Sequence, residues 1–246
     1  EEEWFRQRGV PAEYIGHPLA GRVRASCTRE EFFARNGLDP LRRLLALLPG
    51  SRRREAALNL PVMAEAAARL VADSSPACQA IVALPAQLPL PAGAASSAPA
   101  VVRGQTYDAL AHADLAIVAS GTATIETALL GTPMVVVYRV TQPSWWLGRL
   151  LLKTPFYSMV NLVAGRQVVP ELIQKAFTPG KLAEEAGRLL RDEAARNTMR
   201  AALAEVARKL AAPVDPLERA ADRALQMLYG ASRKFLGQAK NSAVIG

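Results

Sequence analysis

The sequence predicts an α/β protein: a Rossmann-like parallel sheet with helices on both faces, followed by further helices toward the C-terminus. Three observations carry this. Short apolar runs at 43–48, 80–84, 115–119 and 134–138 alternate with segments of helical period. The runs are apolar at nearly every position, the pattern of strands covered on both faces of a parallel sheet. Two of them end at small, turn-forming residues, Pro49-Gly50 and Ser120-Gly121, directly before a helical pattern.

Taken in order, residues 10–27 have no regular period and read as a linker entering the domain. Thr28 opens a helix, with Glu31 at capping-box spacing, and Asn36-Gly37 stops it. Arg43–Leu48 is the first strand. A helix follows from about Arg53 to Ala72, with Leu58, Val62, Ala66 and Leu70 spaced by four. Ser74 to Val102 carries no charge, but Pro76, Pro85, Pro89, Pro91 and Pro99 exclude a membrane-spanning helix there. It reads as a strand, Ala80–Leu84, and a Pro/Ala loop. Tyr107–Ala113 is a short helix, Leu115–Ala119 a strand, Thr124–Leu130 a helix and Met134–Tyr138 a strand. Thr178-Pro179 and Asp215-Pro216 each place a capping residue before a proline at the first helical position. Gly230 is expected to close the last helix, and the small, polar, basic residues 231–246 to form a disordered tail.

With 246 residues, half of them hydrophobic, the chain can bury a sizeable core, which excludes intrinsic disorder. Cys27 and Cys78 are the two cysteines; they exclude a disulfide scaffold and fit a reducing compartment. The net charge of +8 points to an anionic partner: nucleic acid, anionic lipid or a phosphorylated ligand. The chain begins Glu1-Glu2-Glu3-Trp4, without an initiator Met or a signal-peptide pattern, and both ends read as cut or appended.

Three segments carry polar groups suited to a site. Gly50-Ser51-Arg52 lies where a strand gives way to a helix. A helix N-terminus there offers backbone N–H donors and a positive dipole end, and Ser51 and Arg52 add side-chain contacts to a phosphate. The other reading is that Ser51 caps the helix and the arginines are solvated. Ser120-Gly121-Thr122 repeats the junction, and Glu126 follows in an otherwise apolar segment. A carboxylate there needs partners; a ribose diol supplies two O–H donors, while the alternative is a favourable helix-dipole contact. Asn161, Arg166 and Glu171 form a polar cluster in a loop, or an ordinary surface loop with Glu171 as a cap. Trp145 and Trp146, with Arg149 and Lys153, fit a membrane-interface segment as well as they fit a core helix. No metal site is expected: there is no DxD, and neither His17 nor His112 has ligand spacing to the other. GxGxxG, P-loop and G-x-S-x-G motifs are absent too.

Several segments together resemble the lipid-A-disaccharide synthase family. They are Tyr14-Ile-Gly-His-Pro-Leu19, Leu47-Leu-Pro-Gly-Ser-Arg52 and Ala119-Ser-Gly-Thr-Ala-Thr-Ile-Glu126. Gly131-Thr-Pro-Met-Val135, Tyr138-Arg-Val140 and Asn161-Leu-Val-Ala-Gly-Arg166 with Val169-Pro-Glu171 complete the set, in the family's order. The resemblance runs from about Glu1 to Tyr229. Pro85 to Pro99 and the tail after Gly230 match none of its motifs.

The resemblance implies the C-terminal, donor-binding half of a GT-B glycosyltransferase. Residues 1–27 would be the interdomain linker and the end of an N-terminal half that is missing from the sequence. Residues 28–212 would be the UDP-sugar domain, and 213–230 the closing helix. The family's enzyme transfers 2,3-diacylglucosamine from its UDP donor to a lipid monosaccharide phosphate acceptor, with inversion and without a metal or cofactor. It works on the inner face of the bacterial inner membrane, as a peripheral protein on an anionic surface. On this reading Gly50, Ser51, Arg52, Gly121, Thr122, Glu126, Asn161 and Arg166 bind the donor. Arg52 is the electrostatic stabiliser of the leaving group, ahead of Arg166, and the general base belongs to the N-terminal half. His17 pins the linker or touches ligand. Other readings are another GT-B enzyme using a UDP-amino sugar, or a non-catalytic membrane-surface module. No nucleic-acid partner is expected, since only net charge would support one.

Overall fold

The computed structural model describes residues 2–73, 76–91, 99–140, 156–212 and 214–242, with 230–242 as backbone. Among these, six strands pair into one parallel sheet: β1 (Arg43–Leu48), β2 (Cys78–Leu84), β3 (Ala100–Arg103), β4 (Leu115–Ala119), β5 (Met134–Tyr138) and β6 (Glu171–Ile173). Their spatial order is β3-β2-β1-β4-β5-β6, the order of a doubly wound Rossmann sheet. The chain steps outward from β1 through β2 to β3, then returns to lay β4 on the other side of β1. Leu45 pairs with Leu115 and Leu48 with Val118, so β1 and β4 end side by side. The strands read as apolar on both faces are buried on both: Leu44 to Leu47 and Leu115 to Val118 are all fully covered. Each such leucine, isoleucine or valine contributes about 1.5–3 kcal/mol of burial.

The helices among the described residues are α1 (Glu2–Arg6), α2 (Arg29–Asn36), α3 (Arg53–Asp73), α4 (Thr106–Ala111), α5 (Thr122–Leu129), α6 (Met159–Ala164), α7 (Pro179–Arg191), α8 (Glu193–Leu210) and α9 (Pro216–Ser242). α2 has both halves of its capping box. The Thr28 side chain accepts from the Glu31 N–H, and the Glu31 carboxylate accepts from the Thr28 N–H at 3.0 Å. Gly37 closes it in the left-handed region, φ 64°. The cap holds the helix that buries Phe32 and Phe33. Thr28→Ala should therefore cost about 1 kcal/mol, read as a fall in Tm of roughly 2–4 °C in thermal denaturation.

Three differences from the sequence reading stand out. β3 and β6 have four and three residues, too few for a period to register, and α1 has no cap to mark it. α4 and α5 start at Thr106 and Thr122, one and two residues before the expected points. α9 does not stop at Gly230 but continues as helix to Ser242, where a disordered tail was expected.

The chain forms two contact units. Val23–Lys209 contains the sheet. Glu1–Arg22 with Leu210–Gly246 forms the other, so the contact boundaries fall at 22/23 and 209/210. In this smaller unit the His17 N–H donates to the Leu210 carbonyl at 3.0 Å, and the His17 ring accepts from the Leu19 N–H at 3.2 Å. Asp215 caps α9 through the Leu217 N–H at 2.8 Å and pairs with Arg22. Arg223 and Arg219 hold the exposed Glu13 carboxyl below its ordinary range.

Candidate functional site

The reversal of strand order makes a crevice beyond the carboxyl ends of β1 and β4, where open α/β sheets place their ligands. In this protein it is a cleft of about 680 Å³, within the range that takes a small-molecule ligand. Three strand-to-helix junctions wall it. Gly50, Ser51, Arg52 and Glu55 come from the β1–α3 junction, and Ser120, Gly121, Thr122 and Glu126 from β4–α5. Gln105, Tyr107 and Asp108 come from β3–α4, with Arg24 and Ser26 from the segment before α2. Six of the eight residues expected to bind the donor thus share one cleft.

At the β1–α3 junction, Asn59 donates to the Pro49 carbonyl at 2.9 Å and ties the turn to α3. Gly50 sits at φ 125°, in the region that favours glycine. A Cβ there would meet the Glu55 side chain at 2.4 Å, so Glu55 folds back directly over the turn. Burial pushes the Glu55 carboxyl up, while the Ser51 and Arg52 N–H groups and the Arg52 charge oppose the rise. The turn therefore already faces a carboxyl group supplied by the chain itself. Arg52 and Arg24 are exposed on the cleft wall.

At the β4–α5 junction, Glu126 is half-buried. Burial raises its carboxyl above the ordinary range, and the Tyr107 hydroxyl, donating at 3.3 Å, offsets part of that. Tyr107 is raised in turn, by burial first and by the Glu126 charge second. Asp108 behaves differently. Burial works to raise it, but the Ser26 hydroxyl and the Ser26 and Cys27 N–H groups outweigh burial and leave it lowered. Glu126 thus has more spare acceptor capacity than Asp108, which already takes three hydrogen bonds from Ser26 and Cys27.

The remaining expected site residues lie elsewhere. Asn161 sits in α6, not in a loop, and is fully buried. Its oxygen accepts from the Val168 and Val169 N–H groups at 2.8 and 3.0 Å. Its nitrogen donates to the Val169 carbonyl at 3.0 Å and to Glu171 at 2.7 Å. These four bonds occupy the side chain, and Asn161 does not line the cleft. It serves the cleft at one remove. Glu171 also takes the Tyr157 and Ser158 N–H groups, each at 2.9 Å, and the Tyr157 carbonyl accepts from the Ser120 hydroxyl at 2.7 Å on the cleft wall. Arg166 pairs with Glu205 at 3.0 Å on the surface and does not line the cleft either. Trp145, Trp146, Arg149 and Lys153 lie outside the described residues. Among the described residues no helix is long and apolar enough to cross a membrane.

Sequence reasoning missed Tyr107, Gln105, Glu55 and Arg24. Recognising β3 would have exposed Gly104 to Tyr107 as a third strand-to-helix junction. Glu55 was hidden in the basic run Arg52-Arg53-Arg54, and Arg24 carries no local signal.

The fold is that of one Rossmann-like half of a GT-B glycosyltransferase. The chain matches spinosyn rhamnosyltransferase SpnG with a TM-score of 0.50 at 18% identity, covering 78% of this chain and 47% of that one. It matches CalG4, the calicheamicin glycosyltransferase, with a TM-score of 0.50 at 22% identity, covering 77% and 43%. At these identities the likeness is one of fold. Residues 1–215 match the lipid-A-disaccharide synthetase family, and the chain belongs to that family. It is 49% identical over 238 residues to the lipid-A-disaccharide synthase of Solibacter usitatus (strain Ellin6076), covering 94% of this chain and 61% of that protein. Against the enzyme of Myxococcus xanthus (strain DK1622) it is 40% identical over 233 residues, covering 93% and 60%. The chain spans about three fifths of the length of these curated relatives.

Proposed function

We propose that this chain is the donor-binding part of a lipid-A-disaccharide synthase and that its cleft takes UDP-2,3-diacylglucosamine. One observation carries the reading: β1 and β4 end side by side, so the Gly50-Ser51-Arg52 turn and the Gly121-Thr122 turn face one cleft at the switch point of the sheet. The diphosphate lies on the first turn. Its oxygens take the Ser51 and Arg52 N–H groups and displace the Glu55 carboxylate that now rests there. Gly121 and Thr122 let the nucleotide approach, and the ribose hydroxyls donate to Glu126. Reaction with the acceptor's hydroxyl, a lipid monosaccharide phosphate, breaks the anomeric C–O bond and leaves UDP. Arg52, with Arg24 on the wall of the same cleft, stabilises the charge that develops on the departing phosphate. The transfer inverts the anomeric carbon and draws its general base from the part of the enzyme that relatives carry beyond this chain. No metal is needed for the departure of UDP in this scheme, because the turn and the arginines supply the positive charge.

Supporting membrane contact is the Trp145, Trp146, Arg149 and Lys153 segment, which would meet anionic lipid on the inner face of the inner membrane. Flotation with anionic liposomes should weaken when both tryptophans become alanine; unchanged flotation removes that part of the reading. For the cleft, a thermal scan with UDP, UMP, NAD and ATP is the test. UDP at 100 times its Kd should stabilise the fold by about 2.7 kcal/mol, and a folded sample without a UDP-dependent shift would refute the reading. Glu55→Gln keeps the hydrogen bond to the turn but removes a negative charge from the phosphate position. It should tighten UDP binding severalfold in calorimetry.

A further inference from the structure

His112 has no ligand spacing to His17, but the fold gives it two other neighbours. Asp108 lies four residues before it, on the same face of α4 and its C-cap. Cys27, immediately before the Thr28 cap of α2, lies across from both. The three candidate donor atoms, a thiol sulfur, a carboxylate oxygen and an imidazole nitrogen, all lie within 4.8 Å of one another. Zinc holds sulfur at about 2.3 Å and nitrogen or oxygen at about 2.0–2.2 Å, so tetrahedral donors stand roughly 3.3–3.8 Å apart. Closing the cluster on an ion needs a contraction on the order of 1 Å.

We propose that Cys27, Asp108 and His112 bind one thiophilic divalent cation of the zinc type, at a site separate from the nucleotide turn. The donor set selects the ion. A thiolate and an imidazole suit zinc, whereas magnesium and calcium require oxygen ligands. The surrounding bonds are those that orient metal ligands. Asp108 is buried, with one oxygen held by the Ser26 N–H at 2.6 Å and the Cys27 N–H at 3.3 Å, and the other by the Ser26 hydroxyl at 2.7 Å. With the His112 Nε2 donating to the Cys27 carbonyl at 2.9 Å, Nδ1 is the nitrogen left to bind the ion, and the ring packs on Phe32 with centroids 5.6 Å apart. Binding breaks the Cys27 S–H bond, releases that proton to solvent and forms a sulfur–metal bond. The dication is then balanced by the thiolate and the Asp108 carboxylate. Occupancy would clamp the segment before α2 to α4 and fix the Ser26 wall of the cleft.

The experiment is a cobalt(II) titration of the full chain, stripped with chelator and fully reduced. One equivalent should bring up a thiolate-to-cobalt charge-transfer band that zinc bleaches and magnesium does not. Cys27→Ser should abolish the band, and Cys78→Ser, at the other, buried cysteine, should leave it unchanged. Zinc should raise the Tm of the parent protein, and His112→Ala should weaken zinc binding by about ten- to a hundredfold. No band in the folded parent chain, or a band that survives Cys27→Ser, overturns the proposal. The titration of the parent chain decides the matter even if a variant fails to fold, and it is independent of whether UDP binds.

Discussion

Asn161→Ala is expected to lower the stability of the chain by roughly 3–4 kcal/mol. The side chain is fully buried and makes four hydrogen bonds, two of them to the adjacent N–H groups of Val168 and Val169. Truncation leaves the buried Val169 N–H without a partner, at about 1–3 kcal/mol, and the half-buried Val168 N–H at less, and adds the loss of the Val169 and Glu171 contacts. In a chain of this size each kcal/mol moves Tm by about 2–4 °C, so a fall of roughly 6–16 °C should appear in a thermal melt. Asn161→Asp should be nearly as damaging, because it keeps the acceptor but faces the Glu171 carboxylate with a second one. A Tm within a degree of the parent's would show that Asn161 is not the framework residue described above. A residue acting only as a ligand contact would leave the melt unchanged and lower UDP affinity alone.

Glu126→Gln is expected to do the reverse: stabilise the chain without nucleotide at neutral pH and weaken UDP. Burial raises the folded carboxyl above its unfolded value. A group with a raised folded pKa contributes stability that is present below the unfolded pKa and is lost as pH rises through the folded one. Above its unfolded pKa Glu126 therefore costs stability, and the neutral amide removes that cost while still accepting from Tyr107. The gain should vanish below about pH 4, where an ordinary glutamate is protonated in either state. UDP loses its charged acceptor for the ribose. A hydrogen bond to a charged group is worth about 1.5–3 kcal/mol, so affinity should fall about ten- to a hundredfold. Stability and affinity moving in the same direction would show that Glu126 is a structural carboxylate, in keeping with the helix-dipole reading of its position.

The legible parts of this fold are those written in short-range chemistry. β4 and β5 carry the expected boundaries because every position in them is apolar, and the α2 cap was visible as Thr28 and Glu31 three residues apart. β3 and β6 were not, because Ala-Val-Val-Arg and Glu-Leu-Ile gain their strand conformation from pairing with β2 and β5. The site divides in the same way. Gly50 to Arg52 and Gly121 to Glu126 announce themselves as strand-to-helix junctions. Their meeting depends on strand order, which no local pattern encodes. The role of Asn161 turns on the Val168 and Val169 N–H groups, whose direction only the folded α6–β6 connection sets. Tyr107 and the Cys27, Asp108 and His112 cluster are likewise products of packing α4 against its neighbours.

The most direct test of a nucleoside-diphosphate cleft is a calorimetric titration of UDP into the full chain. One equivalent should bind, Arg52→Ala should weaken it by about tenfold, as expected for loss of a charged hydrogen bond, and Glu126→Gln should weaken it by at least as much. No binding to the folded chain would contradict the assignment. So would binding that neither substitution alters, because UDP would then be held somewhere other than between the two turns at the ends of β1 and β4.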